Sequence, residues 1–176
     1  TIATESRAIQ ELIDREAIRE LVLCYSRGVD KYDIALLRDL YTEDGTDTHG
    51  DTFDGPADKF CDFLEESLQY GLFSGHSVCN HMIAIDGDIG EGEVYALSTA
   101  IIPEMEGRPR EEVFMFVRYI DNYRRCADGK WRFSKRVVTY DVQFRRPFNG
   151  GGTMNQGTSD PSYQHTLSLF QRGARK

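Results

Sequence analysis

No stretch of the 176-residue chain approaches the roughly 18 consecutive apolar residues that a membrane-spanning helix needs. Basic charge is also in deficit. Lys and Arg number 21 against 29 Asp and Glu, a formal net charge of −8, so phosphate-rich surfaces are repelled rather than gathered. Neither a membrane nor a nucleic acid is therefore an expected partner. The four cysteines, Cys24, Cys61, Cys79 and Cys126, are far apart and make no C-x-x-C pair. That argues against a zinc site and a disulfide framework, and predicts reduced, mostly buried thiols. The first ten residues lack the basic-then-apolar order of a secretory signal. The expected location is the cytoplasm.

Motifs for bound groups are missing too. Gly150–Gly152 follows no strand and opens no helix, so it makes no phosphate cradle. The run from Asp86 to Gly92 lacks calcium-loop spacing and reads as a hairpin turn. His49 stands beside Asp47 and Asp51, but acidic residues in a Thr-rich strand read as solvated or pocket-rim groups rather than a metal site. His81, five residues after His76, is placed by strict alternation on the opposite strand face, which argues against a shared metal. No cofactor and no metal are expected.

What is present is ordinary for one globular domain, with 40% hydrophobic and 28% charged residues. Ile9, Leu12, Ile13, Ala17, Leu21 and Cys24 recur at three- and four-residue steps, the stripe of an amphipathic helix. Thr4 or Ser6 is the expected cap, and Gly28 the expected left-handed end. A short helix follows over Asp33–Tyr41. Strand-like residues run from Thr46 to Phe53, and Ala57–Tyr70 returns to helical spacing. Four β segments come next, Val78–Ile85, Glu91–Ile102, Val113–Arg124 and Trp131–Phe144, with turn chemistry at Asp86-Gly-Asp and Ala127-Asp-Gly.

Helices first and a meander afterwards predict an α+β fold. A curved antiparallel or mixed sheet would wrap the N-terminal helices into a cone with an internal pocket. The cone is assigned to residues 1–148. Residues 149–176, polar and Gly-rich, read as a flexible tail or one draped over a neighbour, with Leu167, Leu169 and Phe170 as its docking point.

Several segments taken in order resemble one family: Ile18-Arg-Glu-Leu, Tyr25-Ser-Arg-Gly-Val-Asp30-Lys, Leu40-Tyr-Thr-Glu-Asp44, Phe53-Asp-Gly55, Gly75-His76, Asp86-Gly-Asp88 and Asp128-Gly-Lys-Trp131. Over roughly residues 8–146 the chain is similar to the SnoaL-like branch of the cone-shaped nuclear-transport-factor-2-like superfamily. It resembles most the group of scytalone dehydratase, hexachlorocyclohexane dehydrochlorinase and bile-acid 7α-dehydratase. The resemblance implies a helix-borne aspartate, here Asp30, orienting a strand-borne histidine, here His76, that takes a proton from carbon. Tyr25 matches a tyrosine that polarises substrate. One position departs: where the dehydratases carry another His or Asp, this strand offers only Ser98 or Thr99, which weakens acid-assisted loss of a hydroxyl.

The Asp30–His76 pair also makes chemical sense alone, since a carboxylate on one imidazole nitrogen orients the ring as a base. Tyr25, Asp30 and His76 are the expected catalytic set. Tyr41, Thr99 and Tyr140 are expected to line the pocket. Arg118, among Phe114, Phe116 and Tyr119, either pairs with Asp121 or meets an anionic group on the substrate. The expected function is a cofactor-free lyase, dehydratase- or dehydrohalogenase-like, or an isomerase. Its substrate would be hydrophobic and cyclic, of polyketide, steroid or aromatic type, and the protein a homodimer or homotrimer. The rivals are a non-catalytic ligand-binding or scaffold module, like the β-subunit of ring-hydroxylating dioxygenases, and a polyketide cyclase.

Overall fold

A 29-residue helix, α1 (Ile2–Asp30), opens the chain. A short helix follows, α2 (Ile34–Asp39), then two strands, β1 (Tyr41–His49) and β2 (Phe53–Pro56), and helix α3 (Ala57–Leu68). Four long strands complete the fold: β3 (Phe73–Asp86), β4 (Ile89–Ile102), β5 (Glu111–Arg125) and β6 (Trp131–Pro147). This computed structural model describes residues 2–152, 154, 159–164, 171–173 and 175. The six strands form one sheet in the order β2-β1-β6-β5-β4-β3. Every neighbouring pair is antiparallel except β1 and β6, which run parallel. The class is α+β, with an open, mixed sheet.

Bulges bend the sheet. The register shifts between Val78 and His81 against β4, and between Phe116 and Val117 and between Asn122 and Tyr123 against β6. Each inserts an unpaired residue and increases the local twist, which curls the strands around the helices. The core lies between helices and sheet, where Ile18 and Val22 of α1, Leu37 of α2 and Phe60 of α3 meet Val94 and Phe133. Among the described residues no helix is long and apolar enough to cross a membrane.

Two local expectations are corrected. The first half of the expected α1 stripe faces solvent: Ile9, Leu12 and Ile13 are 58%, 66% and 56% exposed. The buried stripe is Ile18, Leu21, Val22, Tyr25 and Val29 instead. Apolar residues stand on two sides of this helix, so spacing does not tell which side meets the sheet. The decision falls to Asp14, which accepts from Arg125 at 2.7 and 2.8 Å and from Trp131 Nε1 at 3.1 Å, and so pins the helix to the end of β5 and the start of β6.

Gly28 does not end the helix either. A Cβ there would lie 2.6 Å from Leu37 Cδ2, so this glycine lets α2 approach α1. The left-handed residue is Tyr32, at φ 53°, and Asp33 caps α2 by accepting from Leu36 N at 3.1 Å.

Asp160 and Arg172 of the expected tail are held by the corner between α1 and α2. Lys31 Nζ pairs with Asp160 at 2.6 Å, and Arg172 donates to the carbonyls of Lys31 and Tyr32 at 2.9 and 2.6 Å. Arg175 donates to the Trp131 carbonyl at 2.9 Å. The docking point expected at Leu167, Leu169 and Phe170 lies outside the described residues. All four cysteines are free, as expected, although Cys61 alone is buried and Cys79 is exposed.

Candidate active site

A cavity of about 180 Å³ opens between the helices and the concave face of the sheet. Its walls are largely apolar, from Val29, Leu64, Leu68, Ala100, Met115 and Val117. Into it project Tyr25, His49, Ser74, His76, Ser98, Tyr119 and Tyr140. A wider groove of about 680 Å³, between Ala84–Glu91 and Asn122–Lys135, has no histidine in its lining.

Asp30 closes the last turn of α1 and reaches the start of β3. Its Oδ2 accepts from the His76 backbone N–H at 2.9 Å. Its Oδ1 lies 2.6 Å from His76 Nδ1 and accepts from Ser74 Oγ at 3.1 Å. Three bonds therefore fix the carboxylate, and the carboxylate fixes the ring. With Nδ1–H given to Asp30, the other ring nitrogen, Nε2, holds the lone pair. It lies 3.1 Å from Ser98 Oγ, on the neighbouring strand in register. Both side chains of the pair are mostly buried, which strengthens the carboxylate's hold on the ring.

A second histidine–carboxylate pair stands at the other side of the cavity. Asp47 and His49 alternate on one face of β1, with a very short bond between Asp47 Oδ1 and His49 Nδ1. Asp47 is fully buried, and its Oδ2 accepts from Tyr41 at 2.6 Å. The His49 ring stacks on Phe60 at 4.4 Å between centroids, and its Nε2 lies 3.2 Å from the Tyr25 hydroxyl. Burial, and then the Asp47 charge, push the Tyr25 phenol well above its ordinary value, so it stays protonated.

The structure brings Asp30, His76, Tyr25 and Tyr140 to one cavity. It does not bring the other expected residues there. Arg118 lies on the outer face of the sheet, paired with Asp141 at 2.6 Å and Glu93 at 3.3 Å, so it contacts neither Asp121 nor the cavity. The buried arginine facing inward is Arg136, which takes Asp121 instead. Thr99 alternates away from the cavity, and Ser98 occupies the inward position. Tyr41 does not line the cavity but holds Asp47 from behind.

Sequence reasoning read His49 and Asp47 as solvated or pocket-rim groups and left them out of the expected site. Their spacing of two on one strand was the available signal, since it puts both on one face. His81 is a further correction. The bulge between Val78 and His81 turns it to the same face as His76, where its Nε2 lies 3.1 Å from the Tyr123 hydroxyl.

Burial, with Arg19 and Arg136 nearby, lowers the His81 pKa from 6.5 to about 4. Between those values the unfolded chain binds the proton and the folded chain does not, so stability rises with pH across that window. Thermal melts are expected to lose stability as pH falls from about 6.5 towards 4, and His81→Gln should flatten that slope.

Comparison with known proteins places the fold. The model of the SnoaL-like domain matches residues 10–137. The chain belongs to the SnoaL-like family. An uncharacterized protein of Mycobacterium tuberculosis, Rv2910c, is 25% identical over 134 residues, covering 75% of this SnoaL-like chain and 88% of its own. Among solved structures, a type-3 hexachlorocyclohexane dehydrochlorinase from Novosphingobium barchaimii superposes at a TM-score of 0.71. It is 20% identical and covers 82% of this chain and 99% of its own. A scytalone dehydratase-like protein from Novosphingobium aromaticivorans superposes at 0.70 with 18% identity, over 82% and 99%. The fold of this SnoaL-like chain is therefore the nuclear-transport-factor-2-like cone.

Proposed function

We propose that this SnoaL-like chain is a cofactor-independent lyase that starts by taking a proton from carbon. The observation that carries this reading is the His76 imidazole, held at Nδ1 by Asp30 and presenting Nε2 to an apolar cavity. In such a site Nε2 removes a proton from a carbon beside an activating carbonyl, and Asp30 balances the charge that develops on the ring. Elimination is favoured over other outcomes because similar folds include a dehydrochlorinase and a dehydratase-like protein. Isomerisation and ring closure would begin with the same step.

A cavity of about 180 Å³ is smaller than the roughly 300 Å³ at which drug-sized pockets begin. The substrate we infer is accordingly a hydrophobic molecule of one or two rings. The test is NMR-detected deuterium incorporation from D2O into α-tetralone at the carbon beside its carbonyl. Enzyme-dependent exchange supports the reading; background exchange with the folded protein removes it.

The outer face of the sheet favours self-association. Phe114 and Phe144 stack there at 5.0 Å. Leu97, Val142 and Phe144 are exposed on neighbouring strands. Such contiguous apolar surface is uncommon on monomers, and the proposal is a dimer or trimer of this 20.1 kDa chain. Light scattering is expected to give two or three chain masses for the wild type, and one for Val142→Lys/Phe144→Glu. A wild-type mass of one chain would refute it.

A further inference from the structure

Abstraction of a proton by His76 leaves one feature of the cavity unused. Asp47 and His49 repeat the arrangement of Asp30 and His76 from a different strand, and β1 and β3 are separated in the sheet by β6, β5 and β4. The two pairs thus reach the cavity from opposite sides. A fully buried carboxylate with both oxygens occupied, one by His49 and one by Tyr41, is costly to assemble for packing alone. Tyr25 lines the cavity beside His49, its hydroxyl 3.2 Å from Nε2.

We propose that His49, held by Asp47 and acting through Tyr25, is the acid arm of the site, and that the substrate carries a hydroxyl one carbon beyond the activated position. This inference rests on the base role of His76 argued above. An elimination that expels chloride gains little from a proton on the leaving atom, whereas hydroxide, a far poorer leaving group, departs much faster when protonated. A site limited to halide would have no use for a second histidine pair. The missing His or Asp on β4, where Ser98 stands, does not therefore argue against dehydration, because β1 supplies the acid.

The step balances without any further reactant. His76 Nε2 takes the proton of the carbon beside the carbonyl, and that C–H pair becomes the enolate π bond. The enolate pair then forms the new C=C bond while the C–O bond breaks with its electrons going to oxygen. Tyr25 gives its O–H proton to the departing oxygen, and His49 Nε2–H returns a proton to Tyr25. Water and the unsaturated ketone leave. His76 ends protonated and His49 neutral, and both are reset by proton exchange with solvent. Tyr25 is the catalytic residue of this arm, and His49 acts through it as a positioning residue. Asp47 and Tyr41 are positioning residues.

The test compares two leaving groups on one frame, the β-hydroxy and β-chloro derivatives of α-tetralone, each of which gives α-naphthol on elimination. His49→Gln and Tyr25→Phe are expected to slow water loss by about 10²–10⁴-fold. Both should slow chloride loss, and deuterium exchange into α-tetralone, far less than they slow water loss. Asp47→Asn should slow water loss and shift its pH profile. In the wild type, water loss and chloride loss should differ in their pH profiles, because only water loss draws on the proton that Tyr25 and His49 supply.

Equal slowing of both leaving groups in a folded His49→Gln protein would overturn the acid arm. So would identical pH profiles for the two in the wild type, a result that needs no variant to fold. Absence of exchange into α-tetralone by the wild type would instead remove the base role, and the acid arm would fall with it.

Discussion

His76→Ala is expected to reduce deuterium exchange into α-tetralone by about 10²–10⁴-fold, the usual contribution of a positioned general base. It should do so at nearly unchanged stability. The His76 ring is held by one carboxylate and one hydroxyl at the wall of a cavity, not by close packing on all sides. Asp30→Asn tests the same pair differently. An amide at Oδ1 either turns its NH₂ to Nδ1, forcing the ring proton onto Nε2 where the lone pair is needed, or leaves the imidazolium unbalanced. The loss is expected to reach about 10⁴-fold, the scale seen when an aspartate that orients a catalytic histidine becomes asparagine. Its signature is a fall in kcat with little change in KM, because no substrate contact is lost. Full exchange activity in both variants would end the base assignment.

Asp121→Ala is expected to be the most destabilising single change considered. Arg136 and Asp121 are both 0% exposed and are joined by two bonds, at 2.8 and 2.7 Å. The guanidinium carbon sits 4.0–4.2 Å from the ring centroids of Phe133, Tyr25 and Tyr119. Its Nη1 has no hydrogen-bond partner among the described residues. Removing Asp121 would leave a buried cation with no counter-charge, which costs about 3–5 kcal/mol. For a chain of this size that is a fall in Tm of roughly 6–20 °C.

The double variant Asp121→Leu/Arg136→Met removes both charges and should recover most of the loss, because a buried ion pair seldom outperforms apolar packing. The readout is the difference in Tm between the single and the double variant. The same pair underlies the ring of Tyr25, so the double variant should fold yet lose water-elimination activity through a misplaced hydroxyl. If the single variant melts within about 0.5 kcal/mol of wild type, as ordinary surface substitutions do, the pair carries no such weight.

Much of this molecule follows from local rules. Hydrophobic spacing and turn residues determined the helices before the sheet, the four long strands and their antiparallel succession, because such signals act over a few residues. The Asp30–His76 pair was legible for another reason: its two members sit within recognisable segments of the chain, although 46 positions separate them. Only the tertiary structure decided which side of α1 is buried, since apolar residues on two faces leave the choice to the Asp14 contacts with Arg125 and Trp131. It alone turned His81 inward, because one bulged residue reverses the facing of every residue beyond it. Arg118 and Arg136 look alike as arginines in β strands, but strand parity and bulges put the first against Asp141 outside and the second against Asp121 within. The convergence of β1 with β3 on one cavity is likewise long-range. Spacing shows that Asp47 and His49 share a face; the curvature of the sheet and the position of α3 decide that the face is the cavity wall rather than solvent.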